Sequence, residues 1–232
     1  IWEAPDVNDD MLIDGKLANY AIGRLKQLQN KPFFLAVGFF RPHIPFIAPK
    51  KYYDMYPISE IELPEYPNLP EGAPGFAKQS GGEWRSYHNV VGDDEMPDAK
   101  TQKEYIRGYK ASVSYVDAQV GRLLSSLDSL DLSGNTVVVL MGDHGYHLFD
   151  KSSFGKSTNF EEATRVPLIF RLPNKESADK KTTALVELID IYPTLCEISN
   201  LPIPKDKPGR SFKDAFINPN YNGKKAAYSQ YI

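Results

Sequence analysis

Hydrophobic positions along the chain follow two spacings. Over residues 14–29, Leu17, Tyr20, Ala21, Leu25 and Leu28 recur every three or four positions, which predicts a helix with Asp14 as its N-cap; Asn30, Lys31 and Pro32 end it. Residues 33–40 (FFLAVGFF) are almost continuously apolar, the pattern of a strand buried on both faces of a parallel sheet. From 57 to 98 the pattern dissolves into Pro, Gly, Glu and Asn, a long loop of the kind that carries function or wraps another element. Residues 101–130 give the strongest helical signal, a stripe of Tyr105, Tyr109, Val113, Val116, Val120, Leu123 and Leu127 expected to face the sheet. Residues 135–141 and 166–172 read as two further buried strands, 183–199 as a helix around Leu188, Tyr192, Leu195 and Cys196, and 226–232 as the opening of another strand. Strand and helix alternate, so the predicted class is α/β, a largely parallel or mixed sheet with helices on both faces. The runs at 33–40 and 137–141 are expected as neighbours or near neighbours in it.

Composition narrows the function classes. A net charge of −3 argues against nucleic acid as a partner, although a local basic pocket could still meet a sulfated sugar. No apolar run reaches the length of a membrane span. The single Cys196 excludes an internal disulfide and is expected to be a buried, unreactive core thiol. Ile1 is not an initiator methionine, so the native N-terminus is expected to be absent or processed away.

Two strand ends carry the candidate chemistry. Gly142-Asp143-His144-Gly145-Tyr146-His147-Leu148 follows the 135–141 strand, where α/β sheets collect ligands, and its glycines allow a sharp turn. An Asp and a His there suit a metal or a phosphate-like group; equally, Asp143 could cap the next turn while His144 packs locally. His43 lies between Pro42 and Pro45 just past the 33–40 run. Taken alone it reads as a surface residue; together with Lys156 on the loop beyond the second strand it gives imidazole and ammonium donors suited to a tetrahedral oxyanion.

With those residues in view, the chain resembles the type I sulfatases of the alkaline-phosphatase-like superfamily, and within them iduronate-2-sulfatase and its bacterial relatives. The similar blocks run in order through 33–46 (FFLAVGFFRPHIPF), 111–124 (ASVSYVDAQVGRLL), 142–148 (GDHGYHL), 155–170 (GKSTNFEEATRVPLIF), 190–195 (DIYPTL) and 227–231 (AYSQY). The resemblance implies hydrolysis of sulfate esters on a sulfated saccharide, with calcium as cofactor and a formylglycine nucleophile. It places Asp143 and His144 on the calcium, Lys156 on the sulfate and nucleophile, and His43 on the sulfate ester. His147, in the same motif, is expected on the substrate as well. Residues 1–213 would be the central and C-terminal part of the catalytic domain, and 214–232 the start of a C-terminal subdomain.

The chain also departs from the family pattern. It has no Cys/Ser-x-Pro/Ala-x-Arg motif from which formylglycine is made, and the N-terminal aspartates of the metal site are missing. The expected partner is therefore the missing N-terminal half of the same protein, and the 232-residue chain alone is expected to be inactive and to bind calcium poorly. Residues 148–156 read LFDKSSFGK where relatives carry a Gly-Glu-His-Gly turn. Two other readings stay open: a phosphodiesterase or phosphonate hydrolase of the same superfamily, and a non-catalytic sugar-binding homologue. Only four histidines, one of them His88 in the irregular region, favour a single-calcium site over a site built for one or two transition metals.

Overall fold

In chain order the elements are β1 (Trp2–Glu3), α1 (Ile13–Leu28), β2 (Phe46–Ile47), α2 (Lys50–Tyr53), α3 (Ala99–Ser129), β3 (Val138–Met141), β4 (His147–Leu148), β5 (Phe154–Gly155), α4 (Glu161–Thr164), β6 (Leu168–Arg171) and α5 (Ile191–Ile198). The computed structural model describes residues 2–77, 96–173, 178–218 and 220–230. His88 and part of the 57–98 loop fall outside them; residues 57–77 are irregular, with short 3-10 turns at Ile58–Glu60 and Gly75–Ala77. Two units interleave along the chain: Ile1–Ser133 with Tyr146–Thr158, and Gly134–Gly145 with Asn159–Ile232.

The first unit is organised by α3. Asp98 caps it by accepting the Thr101 amide at 2.7 Å, which satisfies one of the four amides a helix N-terminus leaves open. Its buried face runs through Tyr105, Gly108, Ser112, Tyr115 and Gln119, so the expected stripe holds at its ends, Tyr105 and Leu127, while Val113 is 42% exposed. Two features select that face. Gly108 lets β2 come close, since a Cβ there would lie 3.0 Å from that of Phe46. Gln119 and Tyr115 find polar partners around Asp9: the Gln119 amide donates to its carboxylate at 3.0 Å and the Tyr115 hydroxyl to its carbonyl at 2.9 Å. Buried polar groups with partners cost little, so side-chain chemistry overrides the simple apolar count. Tyr105, Phe46, Phe149 and Phe154 form the aromatic core, in mostly edge-on pairs 4.7 to 6.4 Å apart. Trp2 and Phe46 pair in the parallel β1–β2 ladder.

Helix α1 forms where expected, but Asp14 is not its cap. Leu12 holds that position, and Asp14 lies inside the first turn, fully buried. The 33–40 run joins no ladder among the described residues. Its exposure alternates residue by residue, as in an extended chain, with Phe34 83% exposed. An apolar run becomes a strand only where a neighbouring strand takes its hydrogen bonds.

In the second unit β3 and β6 pair antiparallel, Val138 opposite Arg171 and Met141 opposite Leu168. Both lie where strands are expected, but β3 is paired to β6, and Leu140, Met141 and Ile169 are exposed. The 183–199 helix is shorter than its pattern: a 3-10 turn over Leu188–Asp190 leads into α5, because Glu187 and Asp190 form a reciprocal capping box that starts the helix there. Cys196 is free and buried, as expected. The expected domain boundary at 213 falls inside this unit, with Phe212 and Phe216 both packed on Phe170 at 5.4 and 5.1 Å. No strand forms over residues 226–230, and 231–232 lie outside the described residues.

Candidate active site

The loop carrying His43 is held from below. The Asp14 carboxylate accepts two backbone amides, Phe40 at 2.7 Å and Arg41 at 3.0 Å. The Arg41 guanidinium, buried beneath the loop, donates to the carbonyls of Ile47 and His43, both at 2.9 Å. Burial pulls the Arg41 pKa below its ordinary value, against the pull of the Asp14 charge. One charged pair therefore fixes both ends of residues 40–47. The Arg41–Pro42 and Ile44–Pro45 peptides are cis.

His43 Nδ1 lies 2.6 Å from the carbonyl of Ile44. A carbonyl only accepts, so Nδ1 carries a proton and Nε2 is the nitrogen left to face the site. Lys156 Nζ stands 3.5 Å from that Nε2. These two expected site residues, 113 positions apart, are thus brought together within the first unit.

Lys156 leaves the β4–β5 hairpin, in which His147 pairs with Gly155 and Leu148 with Phe154. The turn between them is unusual: Phe149, Lys151 and Ser152 all have positive φ, at 78°, 52° and 53°. Side chains with a Cβ rarely adopt that conformation, and here it is enforced from both sides. Phe149 is locked in the aromatic core, and the amides of Lys151 and Ser152 donate to the carbonyls of Tyr66 and Pro67 at 2.8 and 2.7 Å.

His147 is fully buried, its Nδ1 2.8 Å from Asp150 Oδ2 and its Nε2 2.7 Å from Thr158 Oγ1. Both ring nitrogens are engaged within the chain, so the expectation that it touches substrate is not supported. The sequence pattern does not mark Asp14, Arg41 or Thr158 as part of the site, and marks Asp150 only through the departure at 148–156. Asp14 carries a signal in the sequence: it occupies the same face as Ala18, Ala21 and Leu25, where a charge needs a buried partner.

Asp143 and His144 lie in the second unit, on the turn after β3. Gly145 fits there because a Cβ would meet the Glu162 carbonyl at 2.0 Å. The Asp143 side chain is 85% exposed, with its Oδ1 accepting the His144 amide at 3.0 Å. His144 Nδ1 lies 2.8 Å from the Gly145 carbonyl and donates to it, and its Nε2 lies 3.7 Å from Asp143 Oδ2. A carboxylate oxygen and an imidazole nitrogen so placed suit two corners of one metal's coordination shell. They do not complete one: among the described residues no group of three or more His, Cys, Asp or Glu could hold a metal.

Comparison with known proteins fits this chemistry. The family model described as Sulfatase matches residues 2–201. The chain belongs to the sulfatase family. It is 36% identical over 208 residues to a sulfatase of Formosa agariphila, covering 86% of this chain and 39% of that protein. It is 35% identical over 239 residues to human iduronate 2-sulfatase, covering 89% and 43% respectively. Among solved structures, one in complex with its substrate D-glucosamine-2-N,6-O-disulfate shares the fold with a TM-score of 0.77, at 23% identity over 94% of this chain and 55% of that one. A phosphonate monoester hydrolase from Silicibacter pomeroyi shares it at a TM-score of 0.74 and 24% identity, over 97% of this chain and 44% of that one. The α/β class of this sulfatase-family chain is thereby shown. It spans about two fifths of the length of these curated relatives.

Proposed function

We propose that the protein to which this chain belongs is a sulfuric ester hydrolase that removes sulfate from a sulfated sugar, of the iduronate-2-sulfatase kind. The observation that carries the reading is the Lys156 ammonium 3.5 Å from His43 Nε2. A sulfate monoester presents anionic oxygens and one bridging oxygen on which charge grows as the S–O bond breaks. Lys156 offers the positive charge of its ammonium to the former. His43 can hold or release a proton at Nε2, the atom facing the site, while its Nδ1–H is tied to Ile44. Family membership and the iduronate 2-sulfatase similarity support this assignment.

The reading includes calcium, with Asp143 as the carboxylate ligand and His144 beside it. Bound there, calcium would screen the charge of the sulfate oxygens. It would need several more oxygen ligands than these two residues supply, so the site belongs to the whole protein. The nucleophile, a formylglycine in this reading, would likewise come from outside this chain.

The test compares an aryl sulfate and a sulfated disaccharide with an aryl phosphonate, using the full-length parent protein. Hydrolysis of the sulfates with a clear preference in kcat/KM supports the reading. A preference for the phosphonate moves the protein to the phosphonate hydrolases, and saccharide binding without turnover makes it a non-catalytic homologue.

A further inference from the structure

We infer that His147, Thr158 and Asp150 form a buried positioning device that sets the Lys156 ammonium against His43. This deepens the sulfatase reading and rests on it for its kinetic arm. His147 grips the Lys156 segment on both sides. Its backbone pairs with Gly155, the residue before Lys156, in the β4–β5 ladder. Its Nε2 meets the hydroxyl of Thr158, two residues beyond, at 2.7 Å. The Thr158 amide donates to the Lys156 carbonyl at 2.9 Å, closing the turn from which the lysine projects.

Asp150 accepts the proton of His147 Nδ1 at 2.8 Å. In the tautomer protonated only there, Nε2 accepts the Thr158 hydroxyl proton across 2.7 Å. Asp150 acts at one remove, holding the tautomer, as carboxylates do behind ligating histidines. His147 is 0% exposed and Thr158 8%, so water cannot readily substitute for either partner. A lysine stem is flexible, so the backbone turn from which it projects helps to set where its ammonium meets His43, 3.5 Å away.

Thr158→Val deletes the hydroxyl at nearly constant volume, and Thr158→Ser retains it. In the full-length parent, Thr158→Val should lower kcat by about tenfold or more with KM little changed, the scale expected for a misplaced charged group. Thr158→Ser should recover most of the rate. Independently of activity, the His43 imidazole nitrogen resonances should shift in Thr158→Val and not in Thr158→Ser. His147→Gln, which can keep a polar atom near Thr158, should lose less rate than His147→Ala. Wild-type kcat and an unmoved His43 signal in Thr158→Val overturn the inference. So does a rate loss that Thr158→Ser shares in proportion to its lowered melting temperature. If the wild type hydrolyses no sulfate ester, the functional reading fails, and the His43 resonances still decide the positioning claim.

Discussion

At the scale of single residues, the site depends on charges placed where their partners are fixed. Asp14 turns a helix face into an anchor for the His43 loop through two amides at 2.7 and 3.0 Å. Asp14→Asn replaces one accepting oxygen by an amide nitrogen facing an N–H. It should cost about 2 kcal/mol, in the range for hydrogen bonds to a charged group left unmade. Denaturant unfolding reads this, and an unchanged midpoint would show the anchor to be dispensable. Asp143, by contrast, faces solvent and supports no packing. Asp143→Asn should therefore leave stability alone while weakening calcium affinity of the full-length protein by at least about tenfold, measured by calorimetry. Unaltered affinity would remove Asp143 from the metal. His43, Lys156 and the Asp143–His144 pair were legible in the sequence because each stands at the end of an apolar run or in a motif. The role of Thr158 was not, since nothing in its neighbours announces a buried histidine opposite.

At the scale of elements, the pattern located helices and the β3 and β6 strands well and misjudged their faces. Helix α3 carries Ala111, Tyr115 and Ala118 beside its apolar stripe, so periodicity alone does not say which edge packs. Gly108 and the partners of Tyr115 and Gln119 decide it. The continuous apolar pattern of the 33–40 run predicts a strand, but a ladder needs a second strand beside it, which no local pattern specifies. The turn of the β4–β5 hairpin holds three non-glycine residues at positive φ. Lys151, at φ 52° and ψ 38°, is the simplest to relieve. Lys151→Gly should raise stability by up to about 1 kcal/mol, the relief of a left-handed Cβ clash less the added freedom of the unfolded chain. Urea unfolding is the measurement; a clear loss would mean that contacts of the Lys151 side chain outweigh the strain.

At the scale of the whole molecule, two acid clusters, one half-buried around Asp9 and one buried around Asp190, respond to pH. Around Asp9, burial alone would raise the pKa, but hydrogen bonds from Lys51, Tyr52 and Gln119 hold it below 3.8. Around Asp190, burial is likewise overcome by Lys224 and by the amides of Arg210 and Glu187. A carboxylate with a depressed folded pKa contributes stability that is complete above 3.8 and is lost as pH falls through its folded value. Lys224 is raised above 10.5, burial being outweighed by Asp190 and Glu187, so its contribution is complete below 10.5 and lost as pH rises further. Melting temperature should therefore decline outside the window between those limits. A smaller acid-side loss in Asp9→Asn and Asp190→Asn than in the wild type is the expected signature, and an unchanged acid limb would contradict it. The central claim is that Lys156, set against His43, stabilises the sulfate of a sulfuric ester during its hydrolysis. The most direct test is kcat/KM for an aryl sulfate in the full-length protein and in Lys156→Ala, with calcium affinity measured alongside. The account predicts a fall of roughly a hundredfold to a thousandfold, the scale for removing one electrostatic donor from an active site, with calcium binding intact; wild-type turnover in Lys156→Ala would contradict it.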